Sequence, residues 1–153
     1  MENSEKKISL NTHLSLLKNI FKEKGYPEKF FKERIKYKFS YKNFIFEFEI
    51  PLVIKHDFQT FFLADYKLQE NLIVSERGIL ALARVFFDPL PFFALITNFK
   101  KFILLNLYTN EKQIGNKELI PEYKFFQFYQ PKEKKLFKIE IEKKILAIYL
   151  SGG

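Results

Sequence analysis

The sequence predicts an α/β fold in the order helix, three strands, helix, two strands, with a central mixed sheet of about five strands flanked by helices. Three observations carry this. Apolar residues recur at spacings of three and four over residues 8–24, alternate strictly from Ile35, and run apolar on both faces over 60–68 and 92–97. A strand, crossover helix and strand in one sheet are expected to be right-handed and parallel, so the last two runs are placed side by side.

The 153 residues are one domain's length, 47% hydrophobic and 18% aromatic, which is enough apolar material for a single core and excludes a disordered chain. The stretch is read as one domain, residues 1–153, the abrupt stop after a helical pattern being also compatible with one domain of a longer protein. Zero Cys excludes a disulfide framework, Cys-ligated zinc or iron-sulfur centres and a thiol nucleophile, and makes a reducing, cytoplasmic setting the expectation. The amino end, MENSEKKISL, is too polar for a secretory signal, and no window reaches a membrane span. A formal net charge of +8 suits a polyanion such as DNA. It would suit acidic lipid as well, but no strongly amphipathic basic helix stands out and no membrane partner is expected.

The first helix, 8–24, has Leu10, Leu14, Leu17, Ile20 and Phe21 on one face, Asn11 or Thr12 as its cap and Gly25 as its stop. Ile35, Tyr37, Phe39 and Tyr41 alternate with polar residues, and after Lys42-Asn43 the alternation resumes from Phe44 to Leu52, which is a hairpin. A turn at 55–59 leads into an interior strand over 60–68. Ser75 is the expected cap of a helix reaching Phe86, with Ile79, Leu80, Leu82, Ala83 and Phe86 as its inward stripe. Strands follow over 92–97 and 101–108. Pro131 opens a Lys/Glu-rich stretch where Leu136, Ile139, Leu146 and Leu150 line a closing helix with Glu140 and Lys144 paired.

Asp65 and Lys67, two apart on a strand, leave the sheet on one face among apolar neighbours. The tripeptide alone is uninformative, because acid-x-Lys also occurs at Glu5, Glu122, Glu133 and Glu142. The plain reading is a half-buried ion pair. The functional one is a metal-binding carboxylate beside a Lys that steadies a nucleophilic water and phosphate charge. Mg²⁺ then needs a second acid. A turn centred on Asp57 sets Glu49 opposite Asp65 and Glu47 opposite Lys67, all four on one face, whereas an even-numbered loop sends both Glu residues to the other face. Asp57 is the runner-up acid, although Asp is a common turn residue.

The element order, an acid on the second strand and Asp-x-Lys ending the third together resemble the PD-(D/E)xK nuclease superfamily, with its restriction-endonuclease-like core. Within it, the chain is most similar to the amino-terminal nuclease domain of type I restriction enzyme R subunits. The resemblance runs from about Leu14 to Tyr108 and is carried by KEKGYPEKFFKE (22–33), LADYK (63–67), FFALITNF (92–99) and KKFILLNLYTNEKQI (100–114). It implies a metal-dependent DNA endonuclease that hydrolyses phosphodiesters with Mg²⁺ or Mn²⁺. Glu49 and Asp65 would be the metal ligands, with Glu33 as a third acid, and Lys67 would position the attacking water. The family's usual acids are Asp on the second strand and Glu before x-Lys, where this chain has Glu49 and Asp65.

The helix after the motif offers Glu76, Arg77 and Arg84, the two arginines being candidates for bidentate phosphate binding or simply a solvated helix side. DNA is the expected partner, with a homodimer or other restriction subunits beside it. No ATP-binding Gly-rich Lys loop is present. The alternative function is a catalytically inactive nuclease-fold module for DNA binding or assembly. A third class is partner or lipid binding without nucleic acid. His13 and His56 read as surface or turn residues. Tyr123, Phe125, Phe126, Phe128 and Tyr129 read as packing against the closing helix, with base stacking as the alternative.

Overall fold

The computed structural model describes residues 2–68 and 71–152, with side chains described from residue 12 onward except at 73 and 74. Its order is α1 (Glu2–Glu23), β1 (Phe31–Tyr41), β2 (Phe44–His56), β3 (Gln59–Tyr66), α2 (Ile73–Phe86), β4 (Phe93–Thr97), β5 (Phe102–Asn106), β6 (Lys112–Gly115) and α3 (Ile139–Leu150), with short 3-10 turns at 28–30, 117–119 and 123–127. The six strands lie in chain order in one sheet. Only β3 and β4 are parallel, and the other neighbours are antiparallel. The sheet is therefore mixed and flanked by helices, with six strands where about five were expected. The sixth, β6, is a four-residue edge strand exposed throughout, so it lacks the alternation that marks a half-buried strand.

One face of the sheet, through Leu52, Ile54, Phe62, Ala64, Leu95 and Leu104, packs on Leu14, Leu17 and Phe21 of α1. The other, through Val53, Leu63, Ala94, Ile96, Ile103 and Leu105, packs on Ile79, Leu80, Leu82 and Ala83 of α2 and Leu146 of α3. Helix α2 is buried on more than the expected stripe, Ala81 included, because α3 covers its outer side. Gly78 permits that approach, since a Cβ there would fall inside the Tyr149 ring. No described helix is long and apolar enough to cross a membrane.

Several element boundaries differ from the sequence reading. Helix α1 begins at Glu2, so neither Asn11 nor Thr12 starts it, and Leu10 lies outside the described side chains. It ends at Gly25, whose φ of +92° lets Tyr26 N–H reach the Phe21 carbonyl, while the Tyr26 hydroxyl donates to the Pro121 carbonyl at 2.6 Å. The N-cap of α2 is Leu72 rather than Ser75. Leu72 is fully buried and anchors the chain early, and Ser75 sits in the first turn with its N–H on the Leu72 carbonyl. Helix α3 starts only at Ile139. The segment before it is held irregular by Lys135 N–H on the Tyr108 carbonyl and by the Arg84 guanidinium 4.9 Å over the Phe137 ring, leaving Leu136 97% exposed. Glu140 pairs with Lys143, at 3.5 Å, rather than with Lys144.

The turn between β2 and β3 has two residues, Asp57 and Phe58, since His56 faces Gln59 and Lys55 faces Thr60. That even loop alone would send Glu49 away from Asp65, but a bulge between Ile54 and Lys55 shifts the register by one, to Ile54 opposite Phe62 and Leu52 opposite Ala64. A second irregularity then intervenes. Glu33 faces Leu52 and Ile35 faces Ile50, but Arg34, at a φ of +52°, and Pro51, which has no N–H, are skipped between them. Both strands turn over here. Phe31 and Ile54 pack on the α1 side, whereas Ile35 and Ile50 pack on the α2 side.

Replacing Gly78 by Ala is expected to destabilise the fold by about 1 to 3 kcal/mol, because a methyl must displace the Tyr149 ring. In a Tyr149→Ala background the same substitution should cost much less. Urea unfolding of the two single variants and the double variant checks this.

Candidate functional site

Asp65 and Lys67 close the carboxyl end of β3 beside β4, where Asp65 faces Ile96 and Lys67 N–H donates to the Thr97 carbonyl at 2.9 Å. The strand alternation puts both side chains on one face, and Asp65 Oδ2 lies 3.4 Å from Lys67 Nζ. Asp65 is 19% exposed and Lys67 39%. Burial raises the Asp65 pKa above the ordinary carboxyl range, against the opposing pull of Lys67. For Lys67, burial pushes the other way and is outweighed by Asp65 and Tyr149, so its ammonium is held more firmly than usual. A raised carboxyl is what a pair of crowded acids would produce, but here the cause is burial, and the charges acting on Asp65 do not include Glu49.

Glu49 is on the α1 side of the sheet. It lines a hollow with Leu14, Arg34, Pro51 and Tyr66, a consequence of the turnover at Arg34 and Pro51. Glu33 is also on that side, paired with Lys18 of α1 at 3.1 Å. Glu47 pairs with Lys38 at 3.6 Å, and Asp57 sits in the turn at a φ of +55°, 3.5 Å from His56 Nε2. Among the described residues no three His, Asp or Glu side chains are grouped so that they could hold a metal ion. The residues named from the sequence therefore do not fit a Mg²⁺ cage of Glu49, Asp65 and Glu33 together.

Arg77 and Arg84 do not face outward to a phosphate. Both donate to Glu142 of α3, Arg84 Nη1 at 2.9 Å and Arg77 through two short contacts, and Arg84 Nη2 reaches Asn110 at 3.4 Å. Glu142 is 2% exposed, and although burial raises its pKa, the two guanidiniums prevail and hold its carboxyl below the ordinary range. Sequence reasoning missed this acid. The signal was present, because Glu142 stands one helical turn before Leu146 on the inward side of α3.

The histidines are stacked rather than loose: His13 lies against Tyr66 and Phe99, and His56 against Phe30 at 4.5 Å. Phe126 and Tyr129 pack on Phe92 and Phe93 and Tyr123 on Phe30, on the α1 side, so the aromatic cluster does pack, but not against the closing helix. Phe128 is left 88% exposed. Thr97 and Asn98, which end the FFALITNF run, build the β4–β5 turn: Thr97 Oγ1 accepts from Phe99 N–H, and Asn98 Oδ1 accepts from Lys100 and Lys101 N–H.

No family model, no curated protein and no solved structure matches the chain.

Because the folded state raises the Asp65 pKa, it binds that proton more tightly than the unfolded chain does. The stability this contributes is present below the ordinary carboxyl pKa and is lost as pH rises through the raised value. Asp65→Asn is therefore expected to be at least as stable as the wild type at pH 7, with the advantage closing in acid, as read by urea unfolding across pH. Glu142→Gln has the opposite sign. Its lowered pKa contributes stability above the ordinary carboxyl value that is lost as pH falls through the folded one. Removing the charge strands a buried guanidinium and should cost about 3 to 5 kcal/mol at neutral pH in the same assay.

Proposed function

We propose that the chain is an α/β module with a restriction-endonuclease-like core that binds DNA or serves assembly without itself hydrolysing a phosphodiester. One observation carries the reading: Asp65 and Lys67 meet the α3 layer on one face of the sheet, while Glu49, the acid that would complete the site, lines a hollow on the other. Binding is supported by the net charge of +8 and by Lys29, Lys32 and Lys55, which surround a shallow concavity beside His56 and form no ion pair among the described residues.

A second reading, a metal-dependent DNA endonuclease of type I restriction R-subunit kind using Mg²⁺ or Mn²⁺, is favoured by the Asp65–Lys67 pair itself. An acid and an ammonium sharing one face at the carboxyl end of a buried parallel strand are a costly arrangement of the sort found at functional sites. In that reading Lys67 positions the water, and cleavage of both strands asks for two copies of the chain.

The test is DNA binding and cleavage on the same preparation. Under the proposal, log affinity for duplex DNA falls with log salt, by about 0.9 for each phosphate neutralised, and the DNA stays intact with Mg²⁺ or Mn²⁺. Cleavage that disappears in Lys67→Ala would establish the endonuclease instead. No DNA binding at low salt would remove both readings and leave a protein or lipid partner.

A further inference from the structure

The turnover of β1 and β2 produces a hollow of about 170 Å³ bounded by Leu14 of α1, Arg34 of β1, Glu49 and Pro51 of β2 and Tyr66 of β3. Its volume is on the scale of cavities that admit a six-carbon ring, about 150 Å³. Leu14 and Pro51 give it an apolar wall, and three chemically different polar groups open onto it: a guanidinium, a carboxylate and a phenol. His13 stacks on the Tyr66 ring with centroids 5.6 Å apart, and Phe99 lies against both, so the phenol is held in place from behind.

The backbone at this point is unusual. Arg34 holds a φ of +52° between two strand segments, where a non-glycine residue is disfavoured by roughly 1 to 2 kcal/mol. Strain of this kind persists where the surroundings over-determine it, and it collects at ligand sites. What the turnover achieves is specific. It carries Glu49 to the same side as Tyr66 and Leu14, and so sets an anion-binding fork and an anion across one small, partly apolar space.

We propose that this hollow is a binding site for a small zwitterion of amino-acid type, with its carboxylate on the Arg34 guanidinium and Tyr66 hydroxyl, its ammonium on Glu49, and its short carbon body against Leu14 and Pro51. A simple anion would meet repulsion from Glu49 and a simple cation repulsion from Arg34, so only a molecule carrying both charges uses the whole site. The inference does not depend on nucleic-acid binding.

Isothermal titration of the full chain with glycine, β-alanine and γ-aminobutyrate, beside butyrate and butylammonium as single-charge controls, tests it. At least one zwitterion is expected to bind with a dissociation constant on the order of 1 mM, at least about tenfold tighter than either control. Glu49→Gln and Arg34→Gly should each weaken that binding about tenfold or more, because each removes one charged partner. Gly accepts positive φ without a steric cost, so Arg34→Gly should fold and melt at or above the wild-type temperature. The proposal is overturned if no zwitterion binds more tightly than butyrate and butylammonium, or if both variants bind as the wild type does.

Discussion

The parallel pair β3 and β4 has no solvent-facing side over its central length, and this constraint organises the rest of the molecule. Leu63, Ala64, Ala94, Leu95 and Ile96 are fully buried, so a layer is required above and another below. Helix α1 supplies one layer and α2 the other. Because α2 is itself apolar on more than one side, a further cover is needed, and α3 provides it. The small residues Gly78, Ala81 and Ala83 let these layers approach closely, and Leu72 anchors the entry to α2 beneath them.

The same constraint does not extend along the first hairpin. Its base is covered by α1, and its outer part lies against Phe86 and Phe87 at the end of α2. One continuous ribbon must therefore present its apolar side in one direction near Phe31 and Ile54 and in the opposite direction from Ile35 and Ile50 outward. Arg34 and Pro51 are where that exchange happens, one by adopting positive φ and the other by lacking a donor to pair. The position of Glu49 follows from this packing requirement rather than from any chemistry of its own.

Charge is sorted by the third layer. Two of the three arginines are drawn onto Glu142, where a buried carboxylate and two guanidiniums tie α3 to α2. A buried ionic cluster of this kind stabilises little over an apolar substitute, but it specifies which helix face meets which, and breaking it is costly. The positive surface that remains is made almost wholly of lysines, which suits loose, salt-sensitive attraction to a polyanion better than bidentate recognition.

Where periodicity was strong the sequence determined the structure. The first helix, the hairpin turn at Lys42-Asn43, the interior strands and their parallel crossover follow from spacing and from turn residues, because burial on one or both faces imposes a period on the chain. Asp65 and Lys67 were legible for the same reason, since alternation is local and survives any register. Glu49 was not. Whether it meets Asp65 depends on the parity of everything between them, and that parity is changed once by the bulge near Lys55 and again at Arg34 and Pro51. Such shifts are set by which helix covers which stretch of sheet. The partners of Arg77 and Arg84 were hidden likewise, because Glu142 is distant in sequence and reaches them only when α3 docks on α2. Local patterns decided the elements and the faces of single strands. Only the tertiary structure, through the competition of α1, α2 and α3 for the two faces of one sheet, decided which charged groups come together.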